Sequence, residues 1–363
     1  MPDFFQHAPV QIERLYTLGD FEVAANEQLN FMASEYLKAG VAGEVTLREN
    51  RAAFDRLRLV PRLFVDVSRL DTRLNLFGQE HVSPILLAPV GYHKIFHPEG
   101  ELASIAGANL ANTTFISATF SSFTIEDICA RAARPMWFQI YVQKDRGFTK
   151  QLLERGVASG CQAICITADT PVNGPREREL RAGFHLPTGV ERANLRSLDK
   201  RLANAPHRGI YTPIRAANVT WKDLDWLRSI CPVKLLVKGI LNPADAARAI
   251  QCGVDGIIVS NHGGRGLDTV PATIDALPAV AQAVAGRVPI LMDSGIRRGT
   301  DVYQALARGA TAVMIGRPYL HGLAVAGAAG VARVLEILRT ELEMTMGLMG
   351  SARLSDISAA NGL

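Results

Sequence analysis

The sequence predicts an α/β protein of the (β/α)₈ class, the TIM barrel, and two observations carry this prediction. Short apolar runs follow one another along the chain, and the gaps between them mostly fit one helix and two loops. Each run is continuous in apolar residues, as expected of parallel strands buried on both faces. Eight such units at near-even spacing favour a closed barrel over an open doubly wound sheet. The runs span residues 84–91, 113–119, 136–142, 163–169, 234–239, 256–261, 289–295 and 312–317.

A single domain is expected over residues 1–363, because the eight runs form one continuous series. The barrel is predicted at 84–330, with N-terminal helices and a hairpin before it at 1–83. A C-terminal helix and tail are predicted at 331–363. The long gap from Asp169 to Lys234 belongs to the loop after the fourth strand, which makes this loop a candidate lid on the catalytic face.

The segment before the barrel has helical patterns that predict a cap. Residues 20–40 have the pattern of one helix that ends at Gly40, and residues 44–60 that of a second helix. Residues 64–82 contain two short strand-like runs, which we expect to cover the bottom of the barrel.

Composition is that of an ordinary globular protein, with 48% hydrophobic and 20% charged residues. The net charge of +4 is small and gives little reason to expect a nucleic-acid partner, and an anionic small ligand would suit it equally well. The five cysteines form no CxxC pair and have no histidine cluster nearby, which predicts free thiols and no metal site. No secretory signal or apolar stretch of spanning length is found, so we expect a soluble, cytoplasmic protein that does not bind membranes.

Glycine and arginine follow both of the last two predicted strands, in DSGIRRG (293–299) and IGRP (315–318). Barrels of this class often hold phosphate on these two loops. Glycines let backbone N–H groups approach an anion, and arginines add charge-assisted hydrogen bonds. The pair of motifs therefore predicts a ligand that carries a phosphate group.

Strands five and six end in residues that can carry chemistry. Lys238 closes an apolar run and needs an anionic partner; a Schiff base, an ion pair and a cofactor contact all remain open. His262 follows strand six in SNHGGRGLD (260–268), with Arg265 three residues later. Histidine is the natural base near neutral pH, and a guanidinium can hold a carboxylate through two hydrogen bonds.

These motifs together resemble the FMN-dependent 2-hydroxy acid oxidases and dehydrogenases, the group of glycolate oxidase and lactate oxidase. The resemblance extends from about residue 21 to 350, and its specificity comes from the combination of motifs. Besides those above, it rests on WFQIYVQKDR (137–146), TADTP (167–171), HPEGE (97–101) and the continuation of the strand-seven loop into DVYQALARGA.

The resemblance implies a role for each matched residue. His262 would take the proton from the substrate hydroxyl or α-carbon, and Asp169 would stabilise its positive charge. Arg265 and Arg176 would hold the substrate carboxylate, and Tyr36 and Tyr141 would hydrogen-bond the carboxylate and the reacting oxygen. An ion pair of Asp169 with Arg176 is an alternative, as is a purely packing role for either tyrosine. The cofactor contacts it implies are Val90, Gly91, Ala118, Gln139, Thr167, Lys238, Ser260, Asp293, Gly295, Arg297, Gly316 and Arg317.

Four positions depart from the usual pattern of the family. Gly91 replaces an alanine beside the flavin N5, which leaves open whether the enzyme is an oxidase, a dehydrogenase or a monooxygenase. Ala118 replaces a serine near the flavin, Phe120 stands where some members have tryptophan, and Ser294 replaces a glycine. The substrate pocket is therefore expected to differ in detail from that of glycolate oxidase.

The expected function is FMN-dependent oxidation of a small L-2-hydroxy acid, with the flavin reoxidised by O₂ or a soluble acceptor. By family analogy the chain is expected to form a homotetramer. Two alternative functions are a phosphate-binding barrel isomerase or nucleotide dehydrogenase, and a flavin-binding module without turnover. No cysteine lies at the catalytic end of a predicted strand, which disfavours the nucleotide dehydrogenase, and a mere binder needs no carboxylate clamp.

Overall fold

The computed structural model describes residues 10–198 and 210–358, and its centre is a barrel of eight parallel strands. The order around the barrel is β3-β10-β9-β8-β7-β6-β5-β4, and a parallel bridge between Leu87 and Phe115 joins the first strand to the last. The (β/α)₈ prediction is confirmed, and each of the eight apolar runs contains one barrel strand. The strands are β1 (Leu74–Leu76), β2 (Gln79–His81), β3 (Ile85–Leu87), β4 (Ile116–Ser117), β5 (Trp137–Ile140), β6 (Ala163–Thr167), β7 (Lys234–Ile240), β8 (Gly256–Val259), β9 (Ile290–Met292) and β10 (Ala312–Ile315).

Helices surround the barrel, and further helices precede its first strand and follow its last strand. Within the described residues they are α1 (Leu18–Gln28), α2 (Phe31–Lys38), α3 (Val45–Arg56), α4 (Gly100–Leu110), α5 (Ile125–Cys129), α6 (Arg146–Ala158), α7 (Glu177–Arg181), α8 (Trp221–Ile230), α9 (Pro243–Gln251), α10 (Thr273–Val284), α11 (Gly299–Ala307) and α12 (Arg317–Met349).

The barrel interior is a packed core, so chemistry is confined to its ends. Trp137, Leu236 and Met314 are among the side chains that fill it, and all are buried. The hairpin β1–β2 closes the bottom, where the Phe77 ring lies 5.6 Å from that of Trp137. The prediction of a hairpin at the bottom is therefore confirmed. All five cysteines are free thiols, as predicted.

The N-terminal cap differs from its prediction at two points. The single helix expected over residues 20–40 is two helices, α1 and α2, which meet at Leu29 and Asn30. The Asn30 side chain accepts a hydrogen bond from the amide of Ala33 at 2.8 Å and so begins a new helix. The second predicted helix is α3, which ends at Arg56, before the predicted boundary at residue 60.

The long segment after β6 covers the catalytic end of the barrel. It contains α7 and ends in α8, the helix that completes the fourth β/α unit, so the loop proper is shorter than the predicted gap. Backbone hydrogen bonds from Lys144 to Ile214 (2.9 Å) and from Ala216 to Val142 (3.0 Å) attach it to the end of β5. Part of the predicted lid segment, at residues 199–209, lies outside the described residues.

Helix α12 corrects a prediction made from the sequence. It is long and apolar enough to span a membrane by length and composition, whereas no such stretch was expected. However, 67% of its most apolar window is buried inside the fold, and a core helix of a soluble protein meets the same criteria. Non-helical backbone at Ala326 and Gly327 kinks the helix close to the boundary predicted between barrel and C-terminal segment. The kink brings Gly322 and Gly330 into backbone contact, which requires small residues there.

Candidate active site

A cavity of about 680 Å³ lies at the C-terminal ends of the barrel strands. This is where barrel enzymes place their chemistry, and the volume is typical of a small-molecule or cofactor site. Of the predicted site residues, all but Asp169 and Ser260 line it, and those two lie directly behind lining residues. The predicted residues on its wall are Tyr36, Val90, Gly91, Ala118, Gln139, Tyr141, Thr167, Arg176, Lys238, His262, Arg265, Asp293, Gly295, Arg297, Gly316 and Arg317.

His262 and Asp169 form a hydrogen-bonded pair at the ends of β8 and β6. The Nδ1 of His262 lies 2.9 Å from Oδ1 of Asp169. Burial lowers the pKa of His262, and although Asp169 opposes this, the pKa stays below its ordinary value. The imidazole is therefore neutral at pH 7. With its Nδ1–H donated to the carboxylate, its Nε2 is left as an acceptor.

The backbone that presents His262 adopts an unusual conformation. Its φ is +59°, in the left-handed region, which disfavours a residue with a Cβ. The amide of His262 donates to Oγ of Ser260 at 3.1 Å, which helps to hold this turn. Such strain commonly occurs at functional sites, where the surrounding structure fixes one side-chain direction.

Two arginines converge on one carboxylate in the cavity. Arg265 donates to the backbone oxygens of Tyr36 (2.9 Å) and Ala39 (2.7 Å), and its other terminal nitrogen donates to Oε1 of Glu179 at 2.7 Å. Arg176 reaches the same Glu179 oxygen at 3.5 Å, while its Nε is buried without a hydrogen-bond partner. The alternative pairing of Asp169 with Arg176 does not form. Glu179 was not predicted, although its i+3 spacing from Arg176 on a helical turn is a pairing signal.

Tyr36 and Tyr141 present hydroxyl groups to the same part of the cavity. The ring of Tyr36 stacks on that of Phe184 at 4.5 Å, and the ring of Tyr141 stacks on that of Phe120 at 5.3 Å. Burial raises the pKa of both hydroxyls, so both remain protonated donors near neutral pH. Packing thus holds the rings, which leaves the hydroxyls to face a ligand.

Lys238 is a buried cation with two protein partners. Its Nζ lies 3.0 Å from Oδ2 of Asp293 and donates to Oγ of Ser260 at 2.7 Å. Burial lowers the pKa of Lys238, but Asp293 and Asp169 outweigh this effect and hold the pKa above its ordinary value. Of the three possibilities that the sequence left open, an ion pair forms, and the protonated amine is unsuited to a Schiff base.

The cavity wall formed by the loops after β9 and β10 has the donors that a phosphate group requires. Arg317 donates to the backbone oxygens of Leu37 (2.8 Å), Gly263 (2.9 Å) and Ala39 (2.9 Å), and no carboxylate in the described ranges pairs with it. Burial, with Arg265 and Arg297 close by, lowers its pKa to about 9. Such buried positive charge favours an anion. At Gly295, φ is +91° and a Cβ would lie 2.1 Å from a backbone oxygen of Asn50, so only glycine fits.

Between the phosphate end and His262, the wall suits a flat, polar ring. Val90, Gly91, Ala118 and Thr167, which are small or medium-sized residues, line it there. Gln139 accepts a hydrogen bond from the amide of Thr119 at 3.2 Å, whereas its buried Nε2 has no partner. An unpaired buried donor is costly unless a ligand satisfies it. The donor set therefore fits a phosphorylated flavin.

Two of the unusual residues have structural explanations. Ser294 has a φ of +77°, a conformation that favours glycine, and its hydroxyl offsets the strain by donating to Asp293 at 2.7 Å and accepting from the amide of Gly263 at 3.0 Å. At Gly91, a Cβ would lie 3.1 Å from the backbone oxygen of Phe120, which is a tight contact. The absence of a side-chain methyl group at residue 91 thus avoids a close contact with Phe120.

These features together define the class of protein, a barrel enzyme for an anionic substrate and a phosphorylated cofactor. The features are the phosphate-binding end, the histidine–carboxylate pair and the converging arginines. Residues 25–361 match the family described as FMN-dependent dehydrogenase, and the chain belongs to this family. Its cofactor is FMN, and it is an FMN-dependent 2-hydroxy acid oxidase by class.

Named relatives and solved structures agree with this class. The chain is 44% identical over 354 residues to an L-lactate oxidase of Nostoc sp., which covers 94% of this chain and 96% of that protein. It is 42% identical over 352 residues to a 2-hydroxyacid oxidase of Dictyostelium discoideum, and the match covers 96% of this chain and 90% of that protein. A crystal structure of mandelate oxidase superposes with a TM-score of 0.87 at 38% identity, over 94% of this chain and 96% of that one.

Proposed function

We propose that this protein oxidises a small (S)-2-hydroxy acid to the 2-oxo acid, with His262 as the base. The observation that carries the proposal is the 2.9 Å contact of His262 with Asp169, beside two arginines that converge in one cavity. The lactate, glycolate and 2-hydroxyacid oxidases among its relatives support the same substrate class.

His262 acts as the base because its free nitrogen is an acceptor before the reaction begins. Its Nδ1 is committed to Asp169, so Nε2 receives the proton from the substrate hydroxyl or α-carbon. The imidazole then becomes positively charged, and the buried carboxylate of Asp169 stabilises that charge. Asp169 therefore stabilises the charge that develops on His262 in the transition state, which lowers the barrier to proton transfer.

Arg176 and Arg265 hold the substrate carboxylate and fix which face of the α-carbon meets the base. The unpaired Nε of Arg176 is the free donor for this carboxylate, and the backbone contacts of Arg265 keep its guanidinium in place. The hydroxyls of Tyr36 and Tyr141 donate to the carboxylate and to the reacting oxygen. Orientation of this kind removes much of the entropic cost of reaction.

The residues that hold the cofactor divide between its two ends. Arg297, Arg317 and the backbone at Gly295 would bind the phosphate, while Gln139 and Lys238 would contact the ring, where Lys238 would offset negative charge. FMN bound there would supply the oxidising chemistry, the transfer of two electrons from the substrate to an acceptor, which is O₂ with formation of H₂O₂, or a soluble molecule.

Gly91 bears on the choice of acceptor. It lines the cavity at the end of β3 and has no methyl group there. We favour O₂ as the acceptor, in line with the oxidases among the relatives. The alternative is a dehydrogenase or monooxygenase outcome, which the glycine at this position leaves open.

The test is flavin reduction in the absence of oxygen. (S)-Lactate, glycolate and (S)-mandelate are mixed with the FMN-loaded protein, and the loss of flavin absorbance is followed. We expect at least one acid to bleach the flavin, and His262→Ala to slow bleaching by roughly a hundredfold or more while FMN remains bound. His185→Ala is the matched control, because His185 lines the outer cavity and bonds only a backbone oxygen. Bleaching at the normal rate in His262→Ala rules out its role as base.

A further inference from the structure

Arg215 is a buried cation on the wall of the substrate cavity that the reaction described above does not use. Only 8% of its surface is exposed, and it lines the cavity on the side of Tyr141. Its guanidinium donates to Oγ1 of Thr170 at 2.8 Å and to Oδ1 of Asn173. Its central carbon lies 5.1 Å from the ring centroid of Tyr141.

The partners of Arg215 are neutral, which sets it apart from Arg265, Arg176 and Lys238. Arg265 and Arg176 share the carboxylate of Glu179, and Lys238 is paired with Asp293. No carboxylate in the described part of the chain forms an ion pair with Arg215. Burial lowers the pKa of Arg215 and the positive charge of Arg176 lowers it further, whereas Tyr141 and Asp169 oppose this shift without outweighing it. A buried guanidinium of this kind gains most from an anionic ligand.

The position of Arg215 indicates which part of the substrate it meets. It lies against the outer face of Tyr141, whose hydroxyl serves the reacting end of the substrate. The carboxylate clamp of Arg176 and Arg265 is a separate pair of guanidiniums. Arg215 bonds Thr170, which follows Asp169 in the chain, so a substrate carboxylate held by the clamp leaves Arg215 available for a second anionic group near the reacting end.

We propose that Arg215 binds a second carboxylate, and that the preferred substrates are (S)-2-hydroxy dicarboxylic acids. This inference rests on the proposed function and specifies its substrate class. The chemistry is unchanged: the α-carbon C–H and the O–H bond are broken, His262 takes one of the two hydrogens as a proton, and FMN would accept the other together with the two electrons. The product is the 2-oxo dicarboxylate, and the second carboxylate takes no part in the electron balance.

The first experiment compares acids that differ only in the second carboxylate. (S)-Malate is paired with (S)-2-hydroxybutanoate, and (S)-2-hydroxyglutarate with (S)-2-hydroxypentanoate, in the FMN-loaded enzyme. We expect kcat/KM for one dicarboxylate to exceed that of its partner by tenfold or more. Because the added contact is between opposite charges, this ratio should fall as salt is raised. Ratios of one or below for both pairs overturn the inference.

Variants then test whether Arg215 causes the preference. Arg215→Met should lower the ratio at least tenfold, whereas Arg215→Lys should keep part of it, because the charge remains while the planar geometry is lost. Arg146→Met is the matched control: Arg146 lies outside the cavity, where it is ion-paired with Asp223 at 2.8 Å and bonded to Asn218 on the same loop. An unchanged ratio in Arg215→Met, or an equal fall in Arg146→Met, overturns the assignment.

A binding measurement keeps the test informative if Arg215→Met does not fold. Oxaloacetate and 2-oxobutanoate are titrated against the oxidised enzyme, and the flavin spectrum reports the dissociation constants. We expect oxaloacetate to bind at least tenfold more tightly, with a larger loss of affinity in salt; equal affinities overturn the inference. Oxidation of only the monocarboxylic acids would leave the proposed function standing and reject the role of Arg215. Failure of every 2-hydroxy acid to reduce the flavin would reject the proposed function itself.

Discussion

Replacement of Asp169 by asparagine tests the central pair of the site with the least change in shape. Oδ1 of Asp169 lies 2.9 Å from Nδ1 of His262, and the two side chains are 11% and 22% exposed. Asparagine preserves the volume but removes the negative charge. The imidazole then becomes positively charged during the reaction without a carboxylate beside it.

The geometry sets the size of the expected effect. A hydrogen bond to a charged group contributes about 1.5–3 kcal/mol, and this one is mostly shielded from water. Since each 1.36 kcal/mol corresponds to a factor of ten in rate, flavin reduction should slow by about tenfold to a hundredfold. Substrate affinity should change by no more than about threefold, because the arginine clamp is untouched.

The same substitution makes a prediction about pH. Burial lowers the pKa of His262 and Asp169 raises it, so the loss of the carboxylate should lower this pKa further. A protonated imidazole cannot accept a proton, so the rate falls as the pH drops through the pKa of His262. The acid limb of the pH profile should therefore move to lower pH in Asp169→Asn.

The assay is anaerobic stopped-flow reduction of the flavin by (S)-lactate, or by the best acid found, at several pH values. Asp268→Asn is the matched control, because Asp268 lies on the loop of His262 but accepts hydrogen bonds from the amides of Val45 and Thr46 outside the cavity. A reduction rate within threefold of the parent, or an acid limb displaced to higher pH, would refute the reasoning.

Two glycine substitutions make further predictions. At Gly239, φ is +108° and a Cβ would lie 2.5 Å from Cβ of Asp169, so Gly239→Ala should displace Asp169. We expect the flavin reduction rate to fall tenfold or more and the melting temperature to decrease. Unchanged values of both would contradict the packing argument. Gly91→Ala places a methyl group 3.1 Å from the backbone oxygen of Phe120. It should change the ratio of O₂ turnover to artificial-acceptor turnover by about threefold or more while anaerobic reduction changes less; proportional changes in both half-reactions would show that residue 91 does not control the acceptor.

The barrel could be predicted from the sequence because burial on both faces of each strand leaves a direct record in the chain. The break at Asn30 could not, because the apolar pattern continues through it and one side-chain hydrogen bond to Ala33 decides the matter. The extent of α12 was missed for a related reason. Its small residues suggest a break, yet they allow the backbone contact of Gly322 with Gly330 that holds the kinked helix together.

The candidate site also has residues that the sequence could predict and residues that it could not. His262, Arg265 and Lys238 follow barrel strands, and the fold alone brings strand ends together, so their meeting could be predicted. Glu179 and Arg215 lie in the long segment after β6, where the course of the chain depends on contacts that no local pattern encodes. Only the folded chain shows that one joins the arginine clamp and the other lies against Tyr141.

The partners of the cavity arginines distinguish the ligands that each can bind. Arg265 already has a carboxylate at Glu179 and is further fixed by backbone oxygens, so it orients a carboxylate more than it supplies unbalanced charge. Arg317 meets only backbone oxygens and has a lowered pKa of about 9, which suits the double charge of a phosphate group. Arg215 is held by neutral side-chain oxygens and has no such anion assigned by the shared chemistry of the family. Because a buried charge without a counterion is costly, its presence is best explained by a substrate that brings the counterion with it.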